Sequence, residues 1–271
     1  MVKKKIKKTE IRGLKQFMIK LARDAGKIAK KEFGKTSDDL KCKVKESDKD
    51  QVVCKSDVEV ENFIKKWIKK KFPTHGVLAE ETEKCEEDSK KEYLWIIDPI
   101  DGTRNYVHGH PIFGVSIALA RNKEIIAGVV DFPMLGWTFY AEKGRGAERN
   151  EKKICVSNRT PGNDTLGNFG CSFHKEKEQQ VKSFDRYINV IKKVRIEGAA
   201  SFGFCLLASG VYDAYIARFI KPWDIAASYI IIKEAGGKVT DFNGNEWCLD
   251  STNIVASNGK FHEKLLEIVK E

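Results

Sequence analysis

Two aspartates three positions apart are the most informative residues of this 271-residue chain. Asp98 ends an apolar segment, Pro99 interrupts it, and Asp101 follows, in the motif W-I-I-D-P-I-D-G-T-R-N-Y. We expect a strand to deliver Asp98 and Pro99 to lead the chain out of it, so that both carboxylates meet at one corner. Carboxylates held that close repel each other unless a cation lies between them, and all-oxygen ligands suit Mg²⁺ or Mn²⁺. The alternative is that both are only turn and cap residues, a common role of aspartate.

Neighbouring segments strengthen the metal hypothesis. Gly102 and Thr103 stand at the predicted start of a short helix, where backbone N–H groups favour an anion, so a metal and a phosphate would be adjacent. Glu80 ends the strand predicted before Asp98, and Asp224 opens a later helix, so both place acids at element ends where a cleft can form. Taken alone, each of these two acids could equally be a helix cap or a surface charge.

The elements that must position these residues begin with two amphipathic helices. Apolar residues at three- and four-residue steps predict a helix over residues 9–33 and a second from Asp57 to residue 72. Residues 34–50 are polar and predict a loop or a loose hairpin arm, and residues 52–55 a short strand. The highly charged residues 82–92 predict a mobile surface loop.

The remainder of the chain alternates strands with helices. The middle third predicts a strand meander over residues 93–97, 113–120, 124–132 and 138–142. The last hundred residues predict helices over residues 176–193, 200–208, 223–235 and 260–270, and strands over residues 194–196, 212–217, 238–241 and 253–257. This pattern favours an α+β fold or a layered α/β sandwich. We expect one domain over residues 1–271, with two subdomains that meet near residue 160.

Composition excludes several classes of protein. The net charge is +10, and +9 of it lies in residues 1–91, which hold 26 Lys/Arg against 17 Asp/Glu. The lysines are spread over helical polar faces, so they predict a solvated surface more than a nucleic-acid site. Seven cysteines without a C-x-x-C pair argue against a disulfide framework and a zinc knuckle. A long apolar run and a signal peptide are both missing from the sequence, and we expect a cytoplasmic protein without a membrane partner.

The acidic motifs together resemble the inositol monophosphatase family. This family is part of the Mg²⁺-dependent, lithium-sensitive phosphatases, which include fructose-1,6-bisphosphatases and bisphosphate nucleotidases. The resemblance covers nearly the whole chain and rests on A-E-E at 79–81 (usually G-E-E), D-P-I-D-G-T at 98–103 running into N-Y-V-H-G-H-P, K-P-W-D-I-A-A-S at 221–228 and E-A-G-G at 234–237. It implies a layered αβαβα sandwich of mixed, mostly antiparallel sheets, a homodimer, and inhibition by Li⁺.

The resemblance also implies roles for individual residues. Two or three Mg²⁺ ions, with Mn²⁺ as a substitute, would be held by Glu80, Asp98, the carbonyl of Ile100, Asp101 and Asp224. Thr103 would position the attacking water with Asp57 as its partner, although Asp57 also resembles the N-cap of the second helix; with Glu80, these form the predicted catalytic set. The amides of Gly102 and Thr103 would bind phosphate oxygens. His108 and His110 are predicted to be loop or packing residues.

Substrate choice depends on four further positions. The resemblance places Gly198 and Ala199 at a small turn of the substrate site, where inositol-selective members often have Thr at a neighbouring position that is Ala here. Inositol-specific members carry an acidic residue where this chain has Ala217, and Ala accepts no hydrogen bond from a sugar hydroxyl. Arg218 could face a second anionic group, as in a bisphosphate, or be solvated.

Three functions therefore remain open. The first is a Mg²⁺-dependent monophosphatase acting on inositol phosphate and related sugar phosphates. The second is a fructose-1,6-bisphosphatase or dual-activity enzyme; the segment R-N-Y-V-H-G-H-P resembles bisphosphate nucleotidases less. The third is a nucleic-acid-associated protein that retains a phosphatase fold, which the basic N-terminal third favours and the intact set of acids disfavours.

Overall fold

The computed structural model describes residues 8–45, 48–82, 85–162, 164–171 and 175–270 of the chain. The lysine-rich residues 1–7 lie outside this part. In chain order the elements are α1 (Lys8–Glu32), β1 (Lys43–Lys45), β2 (Asp48–Val53), α2 (Lys55–Lys71), β3 (Gly76–Ala79), α3 (Glu86–Ser89), β4 (Tyr93–Asp101), α4 (Thr103–Val107), β5 (Gly114–Arg121), β6 (Glu124–Phe132), β7 (Trp137–Glu142), β8 (Ala147–Arg149), β9 (Lys152–Ile154), β10 (Leu166–Gly170), α5 (Lys177–Val190), β11 (Lys193–Arg195), α6 (Ala200–Ala208), β12 (Ala214–Arg218), α7 (Pro222–Glu234), β13 (Lys238–Thr240), β14 (Asn253–Ser257) and α8 (His262–Val269).

Two mixed sheets form the frame of the molecule. The larger has seven strands in the order β3-β4-β5-β6-β7-β8-β9, in which β3 is parallel to β4 and every later pair is antiparallel. The smaller has the order β11-β10-β12-β14-β13, with β10 parallel to both of its neighbours. The predicted meander is confirmed, whereas strands β8, β9 and β10 were not predicted.

The two sheets and three layers of helices alternate, which gives five layers in total. Helices α1 and α2 pack on the seven-stranded sheet, α6 and α7 lie between the two sheets, and α5 and α8 cover the other side of the five-stranded sheet. This arrangement confirms the αβαβα sandwich. None of the helices in the described part of the chain is long and apolar enough to span a bilayer.

The central position of α7 follows from its sequence. This helix buries residues around its whole circumference, among them Ile225, Ala226 and Ile231, as expected of a helix covered on all sides. It approaches β6 so closely that a Cβ on Gly128 would lie 2.5 Å from the carbonyl oxygen of Ala227. Glycine at this position therefore lets the helix that carries Asp224 pack directly on the sheet that carries Asp98.

Two sequence-based expectations about elements are corrected. Strand β4 does not end before Pro99 but continues to Asp101; its pairing with β5 shifts register between Asp98 and Asp101, so the missing N–H of Pro99 interrupts no ladder bond. Of the two alternatives for residues 34–50, a loop or a hairpin arm, the structure has the hairpin arm: β1 pairs with β2, which extends to Val53. The charged segment of residues 82–92 contains α3, because the carboxylate of Asp88 accepts the N–H of Val77 and ties this segment to β3.

Two cysteines near the first hairpin form a disulfide, contrary to the expectation from the cysteine pattern. Cys42 precedes β1 and Cys54 precedes α2, and the bond joins the two ends of the hairpin. The pairing of β1 with β2 brings the two cysteines together, and a sequence separation of 12 has no characteristic spacing. The subdomain boundary near residue 160 lies between the last strand of one sheet and the first of the other, and stays a prediction.

Candidate active site

The predicted acids lie around one cavity of about 200 Å³ at the end of β4. Eight of the predicted site residues line it: Glu80, Asp98, Ile100, Asp101, Gly102, Thr103, Gly198 and Asp224. Gln51, Val52 and Arg104 complete the lining, and the first two come from the hairpin β1–β2 that the sequence did not place over the site. Five separate segments of the chain therefore converge here.

Sheet geometry explains why these acids meet. Strands β3 and β4 are parallel, so Glu80, whose N–H donates to the carbonyl of Ile97 at 3.2 Å, follows β3 at the sheet edge where β4 presents Asp98. Asp224 is the third residue of α7, and its carboxylate accepts the N–H of Lys221 at 2.7 Å. The helix start therefore fixes this third carboxylate against the end of the sheet.

Burial and the neighbouring carboxylates raise the pKa values of Asp98 and Asp224. Asp98 Oδ1 is buried and has no hydrogen-bond partner. Burial, followed by the charges of Glu80, Asp101 and Asp224, raises the pKa of Asp98 well above its ordinary value. Burial and the charge of Glu80 do the same for Asp224. A set of hard oxygen donors that repel each other, with one oxygen unpartnered, fits a divalent cation such as Mg²⁺ or Mn²⁺.

Protein groups also hold Glu80 and Asp101 in the structure. Lys45 of β1 donates to Glu80 Oε1 at 2.7 Å and to Glu81 Oε1 at 2.8 Å. Asp101 accepts the backbone N–H groups of Ala200 and Ser201 at 2.9 and 2.8 Å, at the start of α6. As they stand, no three Asp, Glu, His or Cys side chains among the described residues are arranged to hold a metal ion. The ligand set therefore stays a prediction.

Lys45 is a site residue that sequence reasoning missed. Burial lowers the pKa of Lys45, but the charges and hydrogen bonds of Glu80 and Glu81 raise it by more. The net shift is upward, so the side chain stays a cation. Burial and the charge of Glu80 raise the pKa of Glu81 to about 7. The sequence offers no signal for this contact, because Lys45 lies in a short polar strand that alternates lysines and is 35 residues from its partner.

The predicted contact between Thr103 and Asp57 is present. Thr103 Oγ1 lies 3.0 Å from Asp57 Oδ1 and 3.0 Å from the carbonyl oxygen of Ile100. Asp57 is not the N-cap of α2, since the helix begins at Lys55 and Asp57 is its third residue. Its other oxygen accepts the N–H of Cys54 at 2.8 Å, and burial raises its pKa to about 7. The catalytic roles of the pair stay predictions.

Gly102 brings the chain close to a second segment of the site. Its φ of 87° is in the left-handed region, and an added Cβ would lie 2.9 Å from the Cβ of Ala199. Only glycine fits this turn without strain, and the turn places the start of α4 beside Gly198. The predicted phosphate amides of Gly102 and Thr103 lie at this start. His108 and His110 are exposed on the loop beyond α4, as predicted.

A second cavity of about 240 Å³ adjoins the first, and both are lined by Gln51, Asp101, Gly198 and Asp224. All four predicted substrate positions line it: Gly198, Ala199, Ala217 and Arg218. Its other walls were not predicted and include Glu197, Tyr215 and Phe219. Arg218 Nη1 lies 3.9 Å from Glu176 Oε2, and its guanidinium lies over the ring of Phe242.

Comparison with known proteins agrees with this geometry. The model of the inositol monophosphatase family matches residues 11–271. A "Fructose-1,6-bisphosphatase/inositol-1-monophosphatase" of Thermotoga maritima is 38% identical over 255 residues, which cover 94% of this chain and 95% of the relative. A "Nus factor SuhB" of Pseudomonas aeruginosa is 35% identical over 235 residues, which cover 84% of this chain and 86% of the relative.

Solved structures agree over the full fold. A Thermotoga maritima IMPase superimposes with a TM-score of 0.84 at 36% identity, covering 94% of this chain and 95% of the other. The extragenic suppressor protein suhB from Bartonella henselae gives a TM-score of 0.89 at 30% identity, covering 96% and 99%.

The chain belongs to the inositol monophosphatase family. The family implies a metal-dependent phosphatase that acts on a phosphate ester. Curated relatives at similar identity are named either as phosphatases or as Nus factors, so the specific activity is a separate question.

Acidic pH should stabilise the metal-free protein. The folded-state pKa values of Asp57 (about 7) and Asp101 (about 6), both raised first by burial, exceed the unfolded value near 3.8. The folded protein binds more protons between these values, so this stability is present below about pH 4 and is lost as pH rises towards 7. In chelator, we expect a lower melting temperature at about pH 8 than at about pH 5, and Mg²⁺ should reverse the loss at pH 8.

Asp57→Asn provides the control for this dependence. Because the asparagine does not titrate, the variant should show a smaller drop in melting temperature over the same pH range. A wild-type melting temperature that is highest at pH 8 in chelator would contradict the expectation.

Proposed function

We propose that this protein is a Mg²⁺-dependent phosphomonoester hydrolase for inositol monophosphate and related sugar phosphates. The observation that carries the proposal is the buried, unpartnered Asp98 Oδ1 among three further carboxylates, next to the contact between Thr103 and Asp57. The relative named "Fructose-1,6-bisphosphatase/inositol-1-monophosphatase" supports the same substrate class. We further propose that the protein is cytoplasmic and forms a homodimer. Light scattering after size exclusion would test the dimer.

The residues proposed to hold two or three Mg²⁺ ions, for which Mn²⁺ could substitute and Li⁺ compete, are Glu80, Asp98, the carbonyl of Ile100, Asp101 and Asp224. Bound divalent cations make water more acidic and neutralise a departing alkoxide. Glu80 also belongs to the proposed catalytic set. The ammonium of Lys45 must then share or release this carboxylate, because it donates to Glu80 Oε1 in the structure.

In the proposed mechanism water attacks phosphorus directly, without a covalent enzyme intermediate, and Thr103 and Asp57 form the path for its proton. The hydroxyl of Thr103 carries one hydrogen, and when it donates this hydrogen to Asp57 Oδ1 its lone pairs can accept a hydrogen bond from a water in the cavity. A water held by those lone pairs is oriented for attack on phosphorus. Asp57, whose pKa is raised to about 7, is suited to stabilise and then take up a proton near neutral pH.

A phosphate-release panel at fixed Mg²⁺ tests the proposal. It compares inositol 1-phosphate, fructose 1,6-bisphosphate, 3′-phosphoadenosine 5′-phosphate and histidinol phosphate, with and without chelator. We expect chelator-sensitive release, strongest from sugar monophosphates. Phosphate release from none of the four, with metal present, would overturn the proposal.

Ala217 predicts poor discrimination among sugar monophosphates. Its side chain leaves no acceptor unpaired by the wrong substrate, and unpaired polar groups are the main source of strong discrimination. Ala217→Glu should therefore raise kcat/KM for inositol 1-phosphate relative to other sugar monophosphates, while Ala217→Gln, of the same size and without charge, should do so less. Strong inositol preference in the wild type would contradict this argument.

A fructose-1,6-bisphosphatase is the second candidate, because Arg218 lines the second cavity. If Arg218 binds the second phosphate, Arg218→Ala should lower kcat/KM for fructose 1,6-bisphosphate about ten- to a hundredfold and leave monophosphates nearly unchanged. A flat response would show that Arg218 does not bind the second phosphate, and would leave it the structural contacts that it makes with Glu176 and Phe242.

A nucleic-acid-associated role is the third candidate. The +9 charge of residues 1–91 and the relatives named Nus factor SuhB favour it. We expect any RNA binding to be weak, independent of sequence, and to weaken steeply between about 50 and 200 mM salt. Tight, sequence-selective binding at physiological salt would instead support this role.

A further inference from the structure

Phe219 has a backbone conformation that suits glycine. It follows β12 and precedes α7, and its φ of 60° is in the left-handed region, where a bulky side chain costs free energy. Neighbouring contacts hold it there: Arg218 pairs with Asn253 in the sheet, and the N–H of Ile220 donates to the carbonyl of Thr252 at 2.9 Å. Glycine would adopt the same turn without this cost.

Core packing does not account for the phenylalanine at this position. Phe219 is only half-buried and belongs to none of the three hydrophobic clusters formed by the described residues. Phe219 lines the 240 Å³ cavity instead, and Lys175 Nζ lies 6.0 Å from the centroid of its ring. A strained aromatic residue that lines a cavity points to a function of its side chain.

The position of the cavity indicates what the ring contacts. The cavity shares Asp101, Gly198 and Asp224 with the site proposed for the phosphoryl group. A phosphate ester seated there extends its alcohol part into the second cavity. Phe219 and Ile220 provide apolar surface on one side of that space, and Glu197 provides a polar group.

We propose that Phe219 is a specificity residue that packs against the apolar face of a ring-shaped leaving group. The substrate class is a phosphate monoester of a cyclic polyol or sugar, whose C–H face is buried on the aromatic ring, in preference to an acyclic ester. This inference rests on the proposed function and names the part of the substrate that this chain selects. Glycine would relieve the strain at position 219, but it has no side chain to cover the ring of the substrate, which would then stay exposed to water.

The experiment compares a cyclic and an acyclic ester in matched variants. Inositol 1-phosphate and glycerol 2-phosphate are assayed for kcat/KM, and their dissociation constants are measured by calorimetry. The variants are Phe219→Gly, which removes the ring and the strain, and Phe219→Leu, which keeps an apolar side chain. Lys123→Gly is the control, because Lys123 has a φ of 66° in the turn between β5 and β6 and lies outside both cavities.

We expect Phe219→Gly to lower kcat/KM for inositol 1-phosphate about tenfold while glycerol 2-phosphate stays within about twofold. The kcat/KM of Phe219→Leu for inositol 1-phosphate should lie between those of the wild type and Phe219→Gly. Melting temperatures of both glycine variants should match or exceed that of the wild type, because each relieves a positive φ. If Phe219 were purely structural, Phe219→Gly would instead lower the melting temperature and leave the ratio of kcat/KM for the two esters unchanged.

Two results would overturn the assignment. One is an equal loss for both esters, which would place the effect of Phe219 on the phosphoryl site. The other is an unchanged kcat/KM for both esters in every variant. If the wild type hydrolyses neither ester, the proposed function fails, and the two dissociation constants then decide on Phe219: a wild-type preference for the cyclic ester that Phe219→Gly abolishes supports it, and equal binding refutes it.

Discussion

Asp98→Asn is expected to lower phosphatase activity at saturating Mg²⁺ by about 10² to 10³-fold or more, while the protein stays folded. The side chain keeps its size but loses the charge that faces Glu80, Asp101 and Asp224. Because Asp98 Oδ1 is buried without a partner, removing its charge relieves repulsion in the metal-free protein. The melting temperature in chelator should therefore be unchanged or higher, and calorimetry should show weaker Mg²⁺ binding.

Asp131→Asn is the matched control for this result. Asp131 is a buried aspartate on β6 of the same sheet, its carboxylate accepts the hydroxyl of Thr138 at 2.7 Å, and it does not line the site cavity. This variant should keep its turnover. Asp98→Asn with near-wild-type turnover at saturating Mg²⁺ would remove Asp98 from the metal site.

The other two aspartates should behave differently from each other. Asp224→Asn should resemble Asp98→Asn in activity. Asp101→Asn should also lose activity, but with a lower melting temperature, since one amide oxygen cannot replace the carboxylate that accepts the N–H groups of both Ala200 and Ser201. This difference follows from the tertiary contact with α6.

Thr103→Ala is expected to lower kcat by about 10² to 10⁴-fold and to change Mg²⁺ affinity little. The substitution removes the hydroxyl that contacts Asp57 but keeps the backbone amide that is proposed to bind phosphate. Measurement of kcat against Mg²⁺ concentration, together with calorimetric Mg²⁺ binding, separates the two effects.

Thr103→Ser controls for the loss of the methyl group, because it keeps the hydroxyl and should retain most of the activity. Since Asp57 acts through the same hydroxyl, combining Asp57→Asn with Thr103→Ala should cost little more than the larger single effect. Lost Mg²⁺ binding with normal kcat at saturating metal would make Thr103 part of the metal shell instead.

The sequence alone determined the class of the protein and the motif positions of the site. Apolar periodicity located the amphipathic α1 and the strand meander from β4 to β7, because both patterns record which face of a local element is buried. The resemblance named Glu80, Asp98, Asp101 and Asp224, and all four line one cavity. Their convergence was predictable because strand ends and helix starts gather at the edges of packed sheets.

Only the tertiary structure decided what these carboxylates contact. Lys45 reaches Glu80 and Glu81 because the hairpin β1–β2 folds over the site, and Asp101 binds the start of α6 from 99 residues away. The disulfide between Cys42 and Cys54 and the left-handed turn at Phe219 likewise depend on neighbours distant in the chain. Local patterns record burial and turn preference, whereas such contacts are selected by the packing of whole layers, and no periodicity in the sequence encodes them.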